Sequence, residues 1–437
     1  MEENMVVLTN MCLYIVLFVF CLMKYKLRNL STFLSLLYMS SAISSYLLFN
    51  FPLYVTSFTA AGKPTLEASI YLFLLNAIFI TTFSNAKLDK VKMLTFYNER
   101  LMLKWQKILV LFLGVCVMVS LPSSVNMFLG GGDLGDLRNE QYADNSGTSS
   151  FFLINLISRI FGGMTIFLLC LPCINYFLLG KFTVWDRFSI IVYALVKVNT
   201  ILSAVSRATI IFSFMEIFIV LLLFYVFIDK KVMRVIKKWG TVSMICMYLI
   251  FSAITFARFE KQGDAAFAAF STLRYAGEAQ LNFMNLVYPD LKEPWYGYRQ
   301  LTLFRRFLGL PYDDGTTRNG ATVYDDYISS EYNWPHPVYV FYSAAGSWVI
   351  NMGFVLPFIL AVLINYIFRK SYRHESKIPV ILIITTIIVS TYYAKGIFYP
   401  DYQSESGNMM ILLLILAYLC LKKYGRTIAV INKNLPK

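Results

Sequence analysis

Four ionisable side chains lie inside long apolar segments of this 437-residue sequence, where a charge is costly and marks a candidate functional site. Arg159 lies within the apolar segment 151–179, and Arg207 lies at the tip of a hairpin between two further segments. Snorkelling to the membrane surface would account for Arg207, but it accounts less well for Arg159. Because a guanidinium binds phosphate through two parallel hydrogen bonds, both arginines suit an anionic headgroup.

The other two intramembrane charges, Lys197 and Glu216, stand at matching depth on the two arms of the same hairpin. This placement predicts an ion pair, which would lower the cost of inserting both groups into the membrane. A catalytic role for the pair is the less favoured alternative.

The polar stretch 259–336 interleaves arginines with tyrosines and tryptophans and also carries carboxylates. Such a composition is typical of headgroup anchoring at a membrane surface. It equally suits a glycan site, because aromatic faces stack on sugars and carboxylates accept hydrogen bonds from hydroxyls. His336 lies at its end, where an imidazole could transfer a proton near neutral pH, although a lone histidine is commonly structural.

Metal chemistry has little support in the sequence. The pairs Asp313-Asp314 and Asp325-Asp326 could offer oxygen ligands, but both lie in turn-like surroundings where aspartate is common. Cys170 and Cys173 have redox spacing, yet an apolar segment surrounds them, which favours a packing role. We therefore expect no metal and no cofactor.

The elements that carry these residues are apolar helices. Apolar residues make up 58% of the chain, charged residues only 15%, and the mean hydropathy is +0.60. About 20 apolar residues are needed to cross a bilayer. The sequence therefore predicts an all-α polytopic membrane protein with about eleven transmembrane helices. The predicted spans are 5–23, 30–49, 67–84, 108–128, 151–179, 188–206, 207–228, 240–258, 337–368, 378–395 and 408–421.

Lysine and arginine are concentrated in alternate connections between these spans. The segments at 24–28, 85–107, 180–187, 229–239, 369–377 and from 422 onward hold 25 of the 39. The positive-inside rule places them in the cytoplasm and the N-terminus outside. The net charge of +14 then reflects topology, and we expect no nucleic-acid partner.

Two polar regions remain for the outer face, 123–150 and the much longer 259–336. The sequence therefore predicts three consecutive blocks. Residues 1–258 form transmembrane helices 1 to 8 with the first outer loop, 259–336 form a large outer-face loop subdomain, and 337–437 form helices 9 to 11 with a cytoplasmic tail.

Four stretches resemble segments of the bacterial oligosaccharide repeat-unit polymerases, the Wzy-type O-antigen and capsule polymerases related to O-antigen ligases. They are Gly-Gly-Asp-Leu-Gly-Asp-Leu-Arg-Asn-Glu-Gln-Tyr at 131–142, Leu-Ser-Ala-Val-Ser-Arg-Ala at 202–208, Tyr-Ala-Gly-Glu-Ala-Gln-Leu-Asn-Phe at 275–283, and His-Pro-Val-Tyr-Val-Phe-Tyr-Ser-Ala-Ala-Gly at 336–346. The motifs are short. The resemblance covers most of the chain as an architecture of many spans with one large late outer loop.

The resemblance implies a GT-C-like membrane glycosyltransferase of the bacterial inner membrane, with its active site on the periplasmic face. Its substrate would be an oligosaccharide repeat unit on undecaprenyl diphosphate. The growing O-antigen or capsular chain would leave its lipid diphosphate and join the non-reducing end of a new lipid-linked unit. A co-polymerase that regulates chain length is the implied protein partner, beside the lipid bilayer.

Such a reaction needs cationic groups that stabilise the diphosphate leaving group, and a base for the acceptor hydroxyl. On the resemblance, the expected substrate-binding residues are Arg159, Arg207 and Arg274, then Arg138 and Arg299, with Tyr275. The expected base is His336, with Glu278 as the second candidate. A lipid-linked oligosaccharide flippase is the alternative from another class, although flippases usually have short loops and pseudo-symmetric halves. An O-antigen ligase would differ only in its acceptor.

Overall fold

The computed structural model describes most of the helical segments of the chain. The described residues are 2–52, 54, 63–88, 91, 93–96, 99–129, 162–204, 207–259, 265–291, 294, 301–310, 317–318, 321–322, 343–373, 377–398, 405–424 and 426–429.

The described elements are mostly helices. They are α1 Glu2–Tyr25, α2 Leu30–Phe49, α3 Leu66–Thr82, α4 Glu99–Leu129, α5 Thr165–Leu179, α6 Val184–Ala204, α7 Arg207–Phe224, α8 Lys230–Phe259, α9 Ala265–Asn282, α10 Thr302–Phe307, α11 Ser343–Met352, α12 Leu356–Arg373, α13 Val380–Lys395 and α14 Glu405–Tyr424. The strands are β1 Met93–Phe96, β2 Thr317–Arg318, β3 Ala321–Thr322, β4 Lys377–Pro379 and β5 Arg426–Ala429.

Described helical residues fall within every predicted span; the described part of the fifth span begins at Gly162 and that of the ninth at Ser343. Six helical stretches of the described residues are long and apolar enough to cross a membrane. They are Glu2–Tyr25, Leu30–Phe49, Leu66–Asn85, Met102–Asn126, Gly162–Leu179 and Ala208–Phe227. Two shorter apolar helices cover Val380–Lys395 and Gly407–Leu416. The chain is thus an all-α polytopic membrane protein in its broad class, while the count of eleven crossings stays a prediction.

The chain divides into two compact units, each made of segments that are distant in sequence. Unit 1 comprises Met1–Ala86, Gln262–Arg373 and Ser390–Ser404, and unit 2 comprises Lys87–Lys261, His374–Val389 and Glu405–Lys437. This grouping follows packing, whereas the three blocks expected from the sequence follow position along the chain.

In unit 1, α1 packs against α2 and α3, and α12 packs along α3. Side-chain amides support these contacts: buried Asn29 caps α2 and donates to the Ser84 carbonyl, and half-buried Asn365 donates to the Ile78 carbonyl at 2.9 Å. Because a helix in a bundle satisfies its own backbone, such side-chain bonds specify which helices meet.

Helix α9 lies near the start of the stretch 259–336, which the sequence predicts as an outer-face loop subdomain. This helix packs against α2, and the residues from Ala279 in α9 to Val287 in the following turn are buried. Polar residues such as Glu278 and Gln280 interrupt the apolar run and lower its hydropathy. In the structure these groups have partners inside unit 1, so they do not exclude burial.

The ninth predicted span, 337–368, is divided into two helices in the structure. Helix α11 ends at Met352, and α12 begins at Leu356. Gly353 between them has φ +73°, and its amide donates to the Val349 carbonyl at 2.8 Å. A left-handed glycine directly after a helix is the usual helix terminator, so one long apolar stretch yields two helices.

In unit 2, α4 and α5 both pack against α6. A small sheet of order β4-β1-β5 joins three segments: β1 pairs parallel with β4 and antiparallel with β5. β1 and β5 lie in basic segments that the sequence predicts in the cytoplasm, and β4 begins at Lys377, the last residue of a third such segment. The side of the membrane on which these segments lie stays a prediction.

Candidate functional site

The best-defined charged site in unit 1 is an ion pair on one face of α9. The Arg274 Nε and Nη2 donate to Oε2 and Oε1 of Glu278 at 2.7 and 3.0 Å. The Arg274 side chain is 36% exposed, whereas that of Glu278 is 5% exposed. A buried carboxylate therefore holds a guanidinium in fixed orientation at a partly open position.

Two polar side chains extend this pair. The hydroxyl of Tyr54, from the segment after α2, lies near Glu278 and Arg274, and the Asn285 amide donates a hydrogen bond to it. Burial raises the pKa of Tyr54, and the Glu278 charge raises it further, so its hydroxyl stays protonated at neutral pH. Asn285 lies in a π-helical turn, Phe283–Val287, a feature that occurs frequently at functional sites.

Close backbone contact holds α9 in place against α2. The hydroxyls of Ser41 and Ser45 donate to the carbonyls of Ala276 and Gly277, each at 2.7 Å. A Cβ on Gly277 would lie 2.4 Å from the Ser45 nitrogen, so glycine is required at this position. Small residues allow helices to approach in this way, and Arg274 and Glu278 are oriented by the same contact.

A second buried contact fixes the C-terminal part of α9. Asn10 of α1 donates to Oε1 of Gln280 at 2.7 Å, and Gln280 donates to the Tyr38 carbonyl at 3.3 Å. Three helices are thus joined by one amide. Because a buried amide without partners is costly, this network favours one rotation of α9 over others.

The start of α11 and the end of α13 meet near Tyr275 of α9. The Ala344 amide, at the start of α11, donates to the Gly396 carbonyl, just after α13, at 2.7 Å. The ring of Phe398 lies 6.4 Å from that of Tyr275. Lys395, the last residue of α13, is buried. The site therefore combines α9 with the termini of two short helices.

The structure describes part of the predicted site. It brings Arg274, Tyr275 and Glu278 together on α9, as their spacing of one helical turn requires. Arg207 begins α7 in unit 2. Four predicted residues lie outside the described part of the chain: Arg138, Arg159, Arg299 and His336. Within the described residues, no group of three or more potential metal ligands is found.

Sequence reasoning missed Tyr54 and Asn285. Tyr54 follows a proline in a short loop and Asn285 follows an amphipathic segment, and neither pattern is distinctive. Only packing of α9 against α2 brings them to Glu278, so no signal in the sequence pointed to them.

The predicted ion pair in unit 2 is confirmed. Lys197 Nζ lies 3.0 Å from Oε1 and 2.9 Å from Oε2 of Glu216, and the Tyr193 hydroxyl donates to Oε2 at 2.7 Å. Both carboxylate oxygens of Glu216 are therefore bonded. A carboxylate with both oxygens bonded inside the protein fits the structural role that the sequence favoured.

A further buried carboxylate in unit 2, Asp186, was not predicted. Its Oδ1 accepts from Gln106 and Asn175 at 2.9 and 2.7 Å, and its Oδ2 accepts from the Thr183 amide and hydroxyl, both at 2.7 Å. These bonds join α4, α5 and α6. Asp186 thus stabilises the start of α6, where a negative charge also complements the helix dipole.

Comparisons with models of protein families, with curated proteins and with solved structures give no match.

Proposed function

We propose that this protein polymerises undecaprenyl-diphosphate-linked oligosaccharide repeat units into O-antigen or capsular polysaccharide. It would be a GT-C-like glycosyltransferase with about eleven transmembrane helices, acting at the periplasmic face of the bacterial inner membrane. The observation that carries the proposal is the Arg274–Glu278 pair, a buried carboxylate that presents a partly exposed guanidinium. The four family-like stretches of the sequence support the same reaction.

In the proposed reaction, the bond between the anomeric carbon of the growing chain and its lipid diphosphate breaks. An acceptor hydroxyl on the new lipid-linked unit forms the new glycosidic bond and releases its proton to a base. Lipid diphosphate is the leaving group. Arg274 stabilises the charge that develops on it.

The pairing suggests how the two substrates are coupled. A diphosphate that binds Arg274 competes with Glu278 for the guanidinium. Glu278 then loses its counter-charge in a buried position, and its released carboxylate can accept the proton of the acceptor hydroxyl. His336 remains the first candidate for the base, with Glu278 second.

A direct assay tests this function. The full-length protein in detergent is incubated with its lipid-diphosphate-linked repeat unit, without nucleotide or added metal, and the products are separated on a gel. A ladder spaced by one repeat establishes a polymerase. Unchanged substrate, from protein shown to be folded by circular dichroism, overturns the proposal.

The flippase alternative gains support from one observation in unit 1. The first residues of α11 contact the residues just after α13, because the Ala344 amide donates to the Gly396 carbonyl. Discontinuous helices with paired ends are typical of transporters. Reconstitution in liposomes separates the two activities, because a flippase moves the lipid-linked unit to the other leaflet without lengthening its glycan. Adding lipid A core as acceptor identifies a ligase.

A further inference from the structure

Residues 301–310 of unit 1 form a small, self-contained helical turn. Helix α10 spans Thr302–Phe307, and the Leu308 amide donates to the Phe304 and Arg305 carbonyls at 3.0 and 3.1 Å. Gly309 has φ +65°, and the Leu310 amide donates back to the Arg305 carbonyl at 2.9 Å. A left-handed glycine with this bonding pattern closes a helix tightly. The turn is therefore held by its own backbone.

The closed turn exposes large apolar side chains. Phe307 is 89% exposed, the highest value among the large apolar side chains that the structure describes, and Leu308 is 73% exposed. Leu301 and Leu310 are also exposed. Contiguous apolar surface of this kind marks a contact with a membrane or another molecule.

Two cations adjoin this apolar tip. Arg305 and Arg306 occupy the last turn of α10, directly before Phe307. A cluster of arginine beside phenylalanine and leucine has the chemistry of a membrane interface, where guanidinium groups contact lipid phosphates and the apolar groups enter the acyl region. The bilayer is also the environment that helices α1, α2 and α3 of the same unit require.

We propose that residues 301–310 form an interfacial anchor that inserts Phe307 and Leu308 into the bilayer. Arg305 and Arg306 then lie at the level of the phosphates of anionic phospholipids. By the predicted topology the anchor enters the outer leaflet. The anchor is independent of glycosyl transfer, and it would hold the loop beside the membrane whichever reaction the protein performs.

The test uses the full-length protein in nanodiscs of phosphatidylcholine and phosphatidylglycerol, without substrate. Leu308→Cys and, separately, Phe307→Cys are labelled with bimane, and quenching by phospholipids brominated on the acyl chain is measured. Lys63→Cys is the matched control, because the Lys63 side chain is 83% exposed and carries a charge. The unsubstituted chain gives the background from its seven cysteines.

Insertion predicts quenching at both anchor positions at least roughly two-fold stronger than at the Lys63 position. The double variant Arg305→Gln/Arg306→Gln, in the Leu308→Cys background, should weaken the quenching in discs that contain phosphatidylglycerol. Quenching at the Phe307 and Leu308 positions that is no stronger than at the Lys63 position would overturn the proposal of an anchor. Label self-quenching that rises with the number of copies per disc would also overturn it, in favour of a contact between copies of this chain.

Discussion

Lys197 and Glu216 face each other across the hairpin of α6 and α7, with the lysine nitrogen 3.0 and 2.9 Å from the two carboxylate oxygens. The Glu216 side chain is almost fully buried, and Tyr193 donates to the same carboxylate. A buried pair of this kind is sensitive to the loss of one partner, because the remaining charge has no compensation.

The first prediction concerns the stability of variants that lose one partner of the Lys197–Glu216 pair. Lys197→Met leaves the Glu216 carboxylate buried and should lower the free energy of unfolding by about 3–5 kcal/mol. Lys197→Met/Glu216→Gln should be less destabilising than Lys197→Met alone, since the amide oxygen of glutamine still accepts from Tyr193. Thermal unfolding in one detergent at fixed protein concentration measures both variants.

The exposed pair Lys63–Glu3, at 3.4 Å, supplies the control. Lys63→Met should change the free energy of unfolding by at most about 1 kcal/mol, because solvent screens an exposed pair. Equal losses for Lys63→Met and Lys197→Met would show that burial does not set the strength of the Lys197 pair.

The second prediction concerns Arg274. Arg274→Ala should reduce polymer synthesis by about 10²–10³-fold, the usual cost of removing one preorganised donor from a developing charge. Arg274→Lys should be impaired as well, because an ammonium cannot reproduce the two parallel bonds of a guanidinium. Initial rates of ladder formation give the comparison.

Arg369 is exposed on α12 in the same unit and gives a matched control. Arg369→Ala and Arg369→Lys should retain the wild-type rate. If Glu278 is the base, Glu278→Gln should abolish polymer synthesis, whereas a Glu278 that only positions Arg274 should leave residual synthesis. Wild-type polymer from Arg274→Ala would exclude Arg274 from diphosphate binding.

The third prediction concerns the contact between α9 and α2. Gly277→Ala would place a methyl group 2.4 Å from the Ser45 nitrogen and 2.5 Å from the Ser44 carbonyl carbon. Backbone atoms cannot move aside as a flexible side chain can, so α9 must shift and carry Arg274 with it. We expect loss of polymer synthesis together with a lower unfolding temperature.

Gly114→Ala is the matched control for this change, because its Cβ would meet only Val192 at an ordinary contact distance of 3.6 Å. This variant should remain as stable as wild type or become slightly more stable, since alanine favours a helix over glycine. Unchanged unfolding in Gly277→Ala would contradict the close packing of α9 on α2.

The fourth prediction concerns Asp186. Asp186→Asn replaces one acceptor oxygen by an NH₂ group that faces donors from Gln106 and Asn175 or from Thr183. The free energy of unfolding should fall by about 1–3 kcal/mol, the cost of leaving buried donors without an acceptor. Glu67→Gln makes the corresponding change on an exposed carboxylate and should have little effect. Similar unfolding temperatures for the two variants would remove the structural role of Asp186.

The sequence by itself determined where the helices lie. Crossing a bilayer requires long apolar runs, so the segments could be read from local composition. It also determined the Lys197–Glu216 pair, because two helices joined by almost no loop must lie side by side and matching depth follows from counting residues along them.

Only the tertiary structure decided that α9, at the start of the predicted outer loop, packs against α2. Hydropathy averages over a segment, and the charged Arg274 and Glu278 lower that average even when each neutralises the other. Tyr54 and Asn285 reach Glu278 only through this packing, and the bonds of Gln280 to Asn10 and Tyr38 join residues far apart in the chain. Contacts of this kind depend on which helix faces meet, and no local pattern specifies that choice.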